Sequence, residues 1–163
     1  LNTVSYFGKQ YSTEKDYRWL NHMCELVTRL NPKVYEPYYF CSTMLAWEIE
    51  TPAAKRQAVS ILSKAMKAHP HDWFFPYLRG FYSMYFFHDR NAAHKDFELS
   101  ASLPDAHPIA ARLAAQSLSE IETPESAIKF LEGMLNAAKD PSQRAAIQGK
   151  IEELKLQVQG VKS

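Results

Sequence analysis

The chain is 163 residues long, 46% of them hydrophobic, and carries a formal net charge of +1. This length and apolar content suffice for one sizeable domain with its own core. Charges of both signs are mixed along the chain, which excludes a basic tract of the kind that binds nucleic acid. No segment offers the ~18 uninterrupted apolar residues that a membrane-spanning helix needs.

Apolar spacing predicts helices in consecutive pairs along the whole chain, followed by one last helix. The predicted helices span residues 2–12, 15–30, 35–50, 52–68, 73–87, 90–102, 106–120, 124–138 and 141–158. Thr51, Thr123 and Asp140 each precede a proline. Such a pair marks a helix start, because the side-chain oxygen caps the first turn and proline is tolerated there.

One pattern of packing positions recurs four times. Its anchors stand at intervals of 38, 35 and 34 residues and are Leu20, Ala58, Ala93 and Ala127. Larger or packing residues follow each anchor at offsets of four and seven, namely Cys24, Leu62, Phe97 and Leu131, then Val27, Ala65, Ser100 and Met134. This recurrence indicates one buried helical face per unit. The second unit is longer by about one helical turn, which we expect between Trp47 and Ala54.

The first unit carries the clearest motif. It contains, in order, Val4, Phe7, Gly8, Tyr11, Leu20, Cys24, Val27 and Pro32. This series resembles the tetratricopeptide repeat, and Ser42, Gly80 and Ala115 supply its tightly packed small residue in later units. The resemblance implies an all-α, right-handed solenoid of antiparallel helix pairs in a single domain. Its units would be residues 1–34, 35–72, 73–107 and 108–140, with 141–158 as a capping helix.

The resemblance also implies a partner-binding surface. In this family the first helices of successive units line a concave groove, chiefly through the second, fifth, ninth and twelfth positions. The corresponding candidates here, with one residue at the adjoining position 47, are Lys9, Tyr39, Thr43, Trp47, Tyr77, Phe81, Met84, Arg112 and Gln116. Tyrosine and methionine suit extended or helical peptides, because rigid rings give contact area and methionine adapts its shape. The predicted function is capture of a peptide or helix of a protein partner.

An alternative function uses the same aromatic surface for homo-oligomerisation, as in a structural or assembly subunit that forms a homodimer. Aromatic residues surround most of the predicted helix 73–87. We interpret the majority of these rings as core of a central repeat and the remainder as partner-facing, whereas in the alternative interpretation they pack on the floor of the groove. Trp19 is expected to pack its helix against the preceding one.

The common catalytic, phosphate-binding and metal-binding motifs are missing from the sequence. It has no nucleophile elbow, no glycine-rich phosphate loop and no HExxH, so we predict that the protein is not an enzyme and uses no cofactor or metal. His69 and His71 with Asp72 come nearest to a metal-ligand set, but loop histidines beside a proline are typically solvated. Asp89 or Asn91 is expected to cap the helix that follows.

Two features bear on the compartment. Cys24 and Cys41 fall on neighbouring predicted helices, so a disulfide is geometrically feasible, while buried free thiols are the interpretation that we favour. The chain starts at Leu1 without a methionine. Together with a resemblance to bacterial tetratricopeptide proteins that carry an N-terminal anchor, this favours a soluble domain of the bacterial cell envelope whose upstream anchor or signal has been removed.

Overall fold

The computed structural model describes residues 14–121, 123–137, 139 and 141–161. These residues contain helices and no strand, which confirms the all-α prediction for the described part of the chain. The helices are α1 (Glu14–Leu30), α2 (Glu36–Trp47), α3 (Pro52–Ala68), α4 (Phe74–Phe87), α5 (Arg90–Ser102), α6 (Pro108–Ile121), α7 (Pro124–Ala137) and α8 (Pro141–Val161). The predicted helix 2–12 and the capping residue Asp140 lie outside the described residues.

The chain divides into two compact units, Leu1–His71 and Asp72–Ser163. In the first unit α2 packs against both α1 and α3. In the second unit each helix from α4 to α8 packs against the next, and α8 also contacts α6. The single domain of four repeat units stays a prediction.

The recurring positions of the sequence pattern are buried. All four anchors and all four residues at offset four are less than 9% exposed, as are Ala65 and Ser100 at offset seven, while Val27 and Met134 are half-buried. Residues four apart on a helix lie on the same face, so one face of each of these four helices is buried. The pattern therefore marked the packed face of α1, α3, α5 and α7.

Side-chain caps begin three of the helices at the predicted places. The backbone N–H groups of Ala54, Ala92 and Ser126 donate to Thr51 Oγ1 (3.2 Å), Asp89 Oδ1 (3.0 Å) and Thr123 Oγ1 (3.2 Å), respectively. Of the two candidates for α5, Asp89 is thus the cap. Each such cap typically stabilises a helix by ~1 kcal/mol.

The extra residues of the second unit do not form a helical turn, which corrects the prediction for Trp47 to Ala54. α2 ends at Trp47, and the residues up to Thr51 form a linker instead. Thr51 is extended (φ −117°, ψ 142°), as expected for a residue that precedes a proline. Ile49 is 1% exposed and anchors the linker in the core.

Cys24 and Cys41 are joined by a disulfide, so the favoured interpretation of free thiols is wrong. Packing of α1 on α2 brings the two Cα atoms to 5.7 Å, within the range that a disulfide spans, and the Sγ atoms are bonded at 2.13 Å. Both side chains are buried. The bridge connects α1 to α2 across 17 residues of sequence.

Gly80 permits close packing of α4 on α5, as its predicted role as a small packing residue requires. A Cβ atom placed there would lie 3.0 Å from Asp96 Cβ and 3.0 Å from the Phe97 ring. Overpacking of this kind typically costs 1–3 kcal/mol, about 1 kcal/mol of which is offset because alanine favours helix over glycine. We expect Gly80→Ala to lower the free energy of unfolding by about 1 kcal/mol in urea titrations.

Gly133 in α7 provides the matched control for this substitution. A Cβ atom built there meets no atom within 4 Å, so only the helix propensity changes. We expect Gly133→Ala to raise the free energy of unfolding by ~0.5–1 kcal/mol. Equal effects of the two substitutions would contradict the steric role of Gly80.

Candidate functional site

Three predicted site residues lie together on α2. Tyr39, Thr43 and Trp47 are four residues apart and therefore share one side of the helix. The rings of Tyr39 and Trp47 are 47% and 45% exposed, while Thr43 is half-buried. We call these three residues the α2 aromatic face. Its two rings are thus partly exposed, and their role in binding a partner stays a prediction.

Three further predicted residues, Tyr77, Phe81 and Met84, are half-buried on α4. They pack against a cluster formed by Ala93, Phe97 and Ala114. The rings of Tyr77 and Phe97 are 6.1 Å apart at an angle of 49°. These side chains are thus partly core and partly surface. The part that is core agrees with the alternative interpretation, in which the rings pack on the floor of the groove.

Tyr85 on α4 belongs to the same surface and was missed by the sequence analysis. Its ring is 56% exposed and stacks on Phe81 at a centroid distance of 5.7 Å and an angle of 10°. We call Tyr77, Phe81, Met84 and Tyr85 the α4 aromatic face. The spacing of four between Phe81 and Tyr85 was the available signal. Family groove positions stop at Met84 and therefore omit Tyr85.

The remaining predicted residues are polar. Arg112 and Gln116 are exposed on α6, and Gln116 Nε2 donates to Glu120 Oε1 at 3.4 Å. They belong to the second compact unit, as does the α4 aromatic face, whereas the α2 aromatic face belongs to the first. Lys9 lies outside the described residues.

An apolar groove between α1 and α2 was not predicted. It encloses about 840 Å³ and is lined by Trp19, Leu20, Met23, Cys24, Val27, Val34, Glu36, Pro37, Phe40, Cys41 and Met44. We call it the α1–α2 groove. The buried disulfide and Leu20 belong to its deepest part, whereas Trp19 and Phe40 are 54% and 56% exposed. Trp19, expected to be a packing residue, is therefore also a surface residue.

A second, polar cavity of about 470 Å³ also lies in the first unit. Among its lining residues, Glu25 pairs with Lys64 and accepts a 2.6 Å hydrogen bond from Gln57. Arg29 and Lys67 stand in the last turns of α1 and α3, where cations offset the exposed carbonyl groups of a helix end. Their charges thus serve the helix ends, and the cavity is a poor site for an anion.

Tyr38 is one of the residues that line the polar cavity. Its hydroxyl donates to the carbonyl oxygen of Pro32 at 3.1 Å, and the side chain is 2% exposed. Burial raises the pKa of Tyr38 above its ordinary value, because the charged form is desolvated. The side chain is therefore a neutral hydrogen-bond donor that ties the start of α2 to the turn after α1.

The histidines considered as metal ligands have structural neighbours. The His69 ring lies edge-on to Tyr35 and Tyr38 at 5.9 and 5.8 Å, and Asp72 Oδ1 accepts a hydrogen bond from the backbone N–H of Phe74 at 2.9 Å. Asp72 thereby satisfies the backbone N–H of the first residue of α4. In the part of the chain that the structure describes, no three His, Cys, Asp or Glu side chains are grouped to hold a metal ion.

The described residues thus form an all-helical fold that carries two aromatic faces and an apolar groove. No protein-family model, curated protein sequence or solved structure matches the chain. None of the helices within the described ranges is long and apolar enough to cross a membrane.

Proposed function

We propose that this chain is a protein-interaction module that captures a peptide or helix of a partner on its aromatic faces. In this proposal the helix pairs are tetratricopeptide-like units stacked in a right-handed solenoid, and α8 caps the stack. The burial of the recurring anchors supports the repeat assignment. Binding would need neither covalent chemistry nor a cofactor.

The observation that carries the proposal is where exposed aromatic rings occur. Among the described residues, six Tyr, Phe and Trp side chains are at least 36% exposed, and five of them lie on α2 and α4. Tyr39, Trp47 and Tyr85 belong to the aromatic faces, Phe87 ends α4, and Phe40 lines the α1–α2 groove. In this proposal α2 and α4 are each the first helix of a repeat unit, which is the helix that carries the binding positions in tetratricopeptide proteins. Exposed rings concentrated on these helices are what a peptide-binding groove requires.

Such rings also supply enough contact area to act as binding hot spots. A fully buried aromatic side chain covers ~150–250 Å², and about half of that area is still open to a partner in Tyr39, Trp47 and Tyr85. A few such anchors dominate the affinity of most interfaces. The stacking of Tyr85 on Phe81 holds the ring in place before a partner arrives. A ring that is already ordered loses little conformational entropy on binding.

The proposal is tested by selecting peptides against the full chain from a random displayed library and measuring their affinity by fluorescence anisotropy. We expect the double substitution Trp47→Ser, Tyr85→Ser to weaken the selected peptides at least ~10-fold, the scale of a lost hot spot. Leu156→Ser is the matched control, because Leu156 is 69% exposed on α8, away from both faces in sequence and helix. The selected peptides should bind the Leu156→Ser variant with unchanged affinity.

Two results would contradict peptide capture. One is that the selected peptides bind the Trp47→Ser, Tyr85→Ser variant as tightly as they bind the unchanged chain. The other is a chain that light scattering shows to be a dimer and that Trp47→Ser, Tyr85→Ser converts to a monomer. The second result would favour the alternative function, in which the aromatic faces mediate self-association.

We further propose an oxidising compartment, such as the bacterial cell envelope, as the location of the protein. The buried disulfide between Cys24 and Cys41 supports this, because disulfides persist in such compartments and are rare in the cytosol.

A further inference from the structure

The walls of the α1–α2 groove have the spacing of a helix-binding surface. The α1 wall presents residues 19, 20, 23, 24 and 27, and the α2 wall presents residues 36, 37, 40, 41 and 44. Both sets follow the spacing i, i+1, i+4, i+5, i+8, so each forms a continuous stripe along its helix. Each wall spans nine residues of helix, which extend ~12 Å, or about two turns. A partner helix of two to three turns matches this length.

The groove is open along its rim, which favours a helix over a small molecule. Trp19 on one wall and Phe40 on the other are more than half exposed, while Leu20, Cys24 and Cys41 beneath them are buried. A small-molecule pocket typically buries 70–90% of its ligand. An amphipathic helix, in contrast, inserts one apolar face and leaves its polar face in water.

The groove combines a fixed width with adaptable walls. The disulfide joins α1 to α2 directly beneath the lining, so the spacing of the two helices is set before binding. Met23 and Met44 contribute one flexible thioether to each wall. Methionine adapts to apolar side chains of different shapes and is common on helix-binding surfaces.

Charge identifies the complementary partner. Glu36 is the one charged side chain among the described lining residues, and it forms no ion pair with another described residue. It stands in the first turn of α2, where its charge also offsets the partial positive charge of the helix end. A basic residue at the end of a partner helix would complement it, whereas an acidic residue would be repelled. The groove thus distinguishes partners by one charge as well as by their apolar spacing.

We propose that the α1–α2 groove binds a short amphipathic helix of a partner protein. This helix places apolar side chains spaced i, i+3 or i+4, and i+7 between α1 and α2, and a basic residue beside Glu36. The site is separate from the proposed aromatic faces, because it uses Phe40 and Met44 on α2 in place of Tyr39 and Trp47. It therefore adds a second binding surface to the first unit.

The test uses two synthetic helical peptides of three turns with leucines at i, i+3 and i+7, one carrying arginine and the other glutamate at the same terminal position. We expect the full chain to bind the arginine peptide about 3- to 10-fold more tightly by fluorescence anisotropy at low ionic strength, because Glu36 attracts one peptide and repels the other from an exposed position. Glu36→Lys should reverse this preference. Phe40→Ser should weaken the arginine peptide ~10-fold or more, while Leu30→Ser, a 74% exposed position on α1 outside the lining, should leave it unchanged.

A second measurement locates the peptide. The protein contains five methionines, two of which line the groove. Methyl NMR of the full chain should show the Met23 and Met44 signals shifting with peptide concentration. Trp47→Ser and Tyr85→Ser should not alter this binding, so failure of the groove and failure of the aromatic faces are distinguishable.

Three outcomes would overturn the proposal. The first is a peptide preference that Glu36→Lys does not change. The second is a Phe7→Ser substitution that shifts the Met23 and Met44 signals without peptide, which would mean that the chain's own first residues occupy the groove. The third is a dimer that Phe40→Ser dissociates, which would assign the groove to a second copy of the chain.

Discussion

Replacing Cys24 and Cys41 together by alanine is expected to lower the free energy of unfolding of the first unit by about 3 kcal/mol. The disulfide closes a loop across 17 residues and joins two helices whose contact side chains are buried. Loss of the bridge restores conformational freedom to the unfolded chain, and loss of the two sulfur atoms removes contacts beneath the α1–α2 groove. Both effects favour unfolding.

The measurement is a urea titration followed by tryptophan fluorescence. The chain has three tryptophans, and a Trp73→Phe background leaves Trp19 and Trp47, both in the first unit. A thiol reductant should lower the midpoint of the oxidised protein towards that of the alanine variant, which also lacks the two sulfur atoms, and should leave that variant unchanged. A protein whose midpoint is the same before and after complete reduction, verified by alkylation and mass measurement, would contradict a stabilising disulfide.

Arg79→Met is expected to lower the free energy of unfolding of the second unit by about 3 kcal/mol. Arg79 on α4 donates from Nε to Asp96 Oδ2 at 2.8 Å and from a terminal nitrogen to Asp96 Oδ1 at 2.5 Å. The Asp96 side chain is 6% exposed. Without the guanidinium the carboxylate stays buried but loses its counter-charge, which is far more costly than losing an exposed ion pair.

A double substitution separates the ion pair from simple packing. Arg79→Met combined with Asp96→Leu removes both charges and keeps side chains of similar size, so we expect it to recover most of the lost stability in urea titrations. The control is Lys155→Met, which removes an ion pair of 3.5 Å with Glu132 whose partners are each 53% exposed. That change should cost less than ~1 kcal/mol. A double variant no more stable than Arg79→Met would contradict this account.

In the α4–α5 interface, the close contact at Gly80 and the ion pair of Arg79 with Asp96 are neighbours. Gly80 lies next to Arg79 in sequence, and the atoms nearest to its missing Cβ belong to Asp96 and Phe97. The close approach that glycine permits is therefore at the same place as the ion pair. Substitutions at Gly80 and Arg79 should not be additive, because they share Asp96 as a neighbour.

Much of the helical architecture was predictable because its causes are local. Apolar spacing identified every described helix, and the bounds of α3 and α5 agree with the prediction. The caps at Thr51, Asp89 and Thr123 depend on residues three positions apart. Such short-range hydrogen bonds and periodicities can be read from the chain without knowledge of its packing.

The candidate site was predictable only in part. Tyr39 and Trp47 have the exposure that a partner-binding role requires, but Tyr77, Phe81 and Met84 are half-buried against Phe97. The positions taken from the tetratricopeptide resemblance predicted which helices carry the rings of a binding surface, and that role stays a prediction. How much of each ring remains exposed depends on the neighbouring helix, which position in a repeat does not reveal.

The sequence by itself determined that this protein is a succession of helices with one recurring buried face and with aromatic residues concentrated near α4. Only the tertiary structure decided that Cys24 meets Cys41, that Arg79 pairs with Asp96, and that α1 and α2 leave an apolar groove between them. The physical reason is the separation in sequence between the residues that interact. Helix formation depends on residues within about one turn of each other, whereas these contacts depend on how separate helices approach.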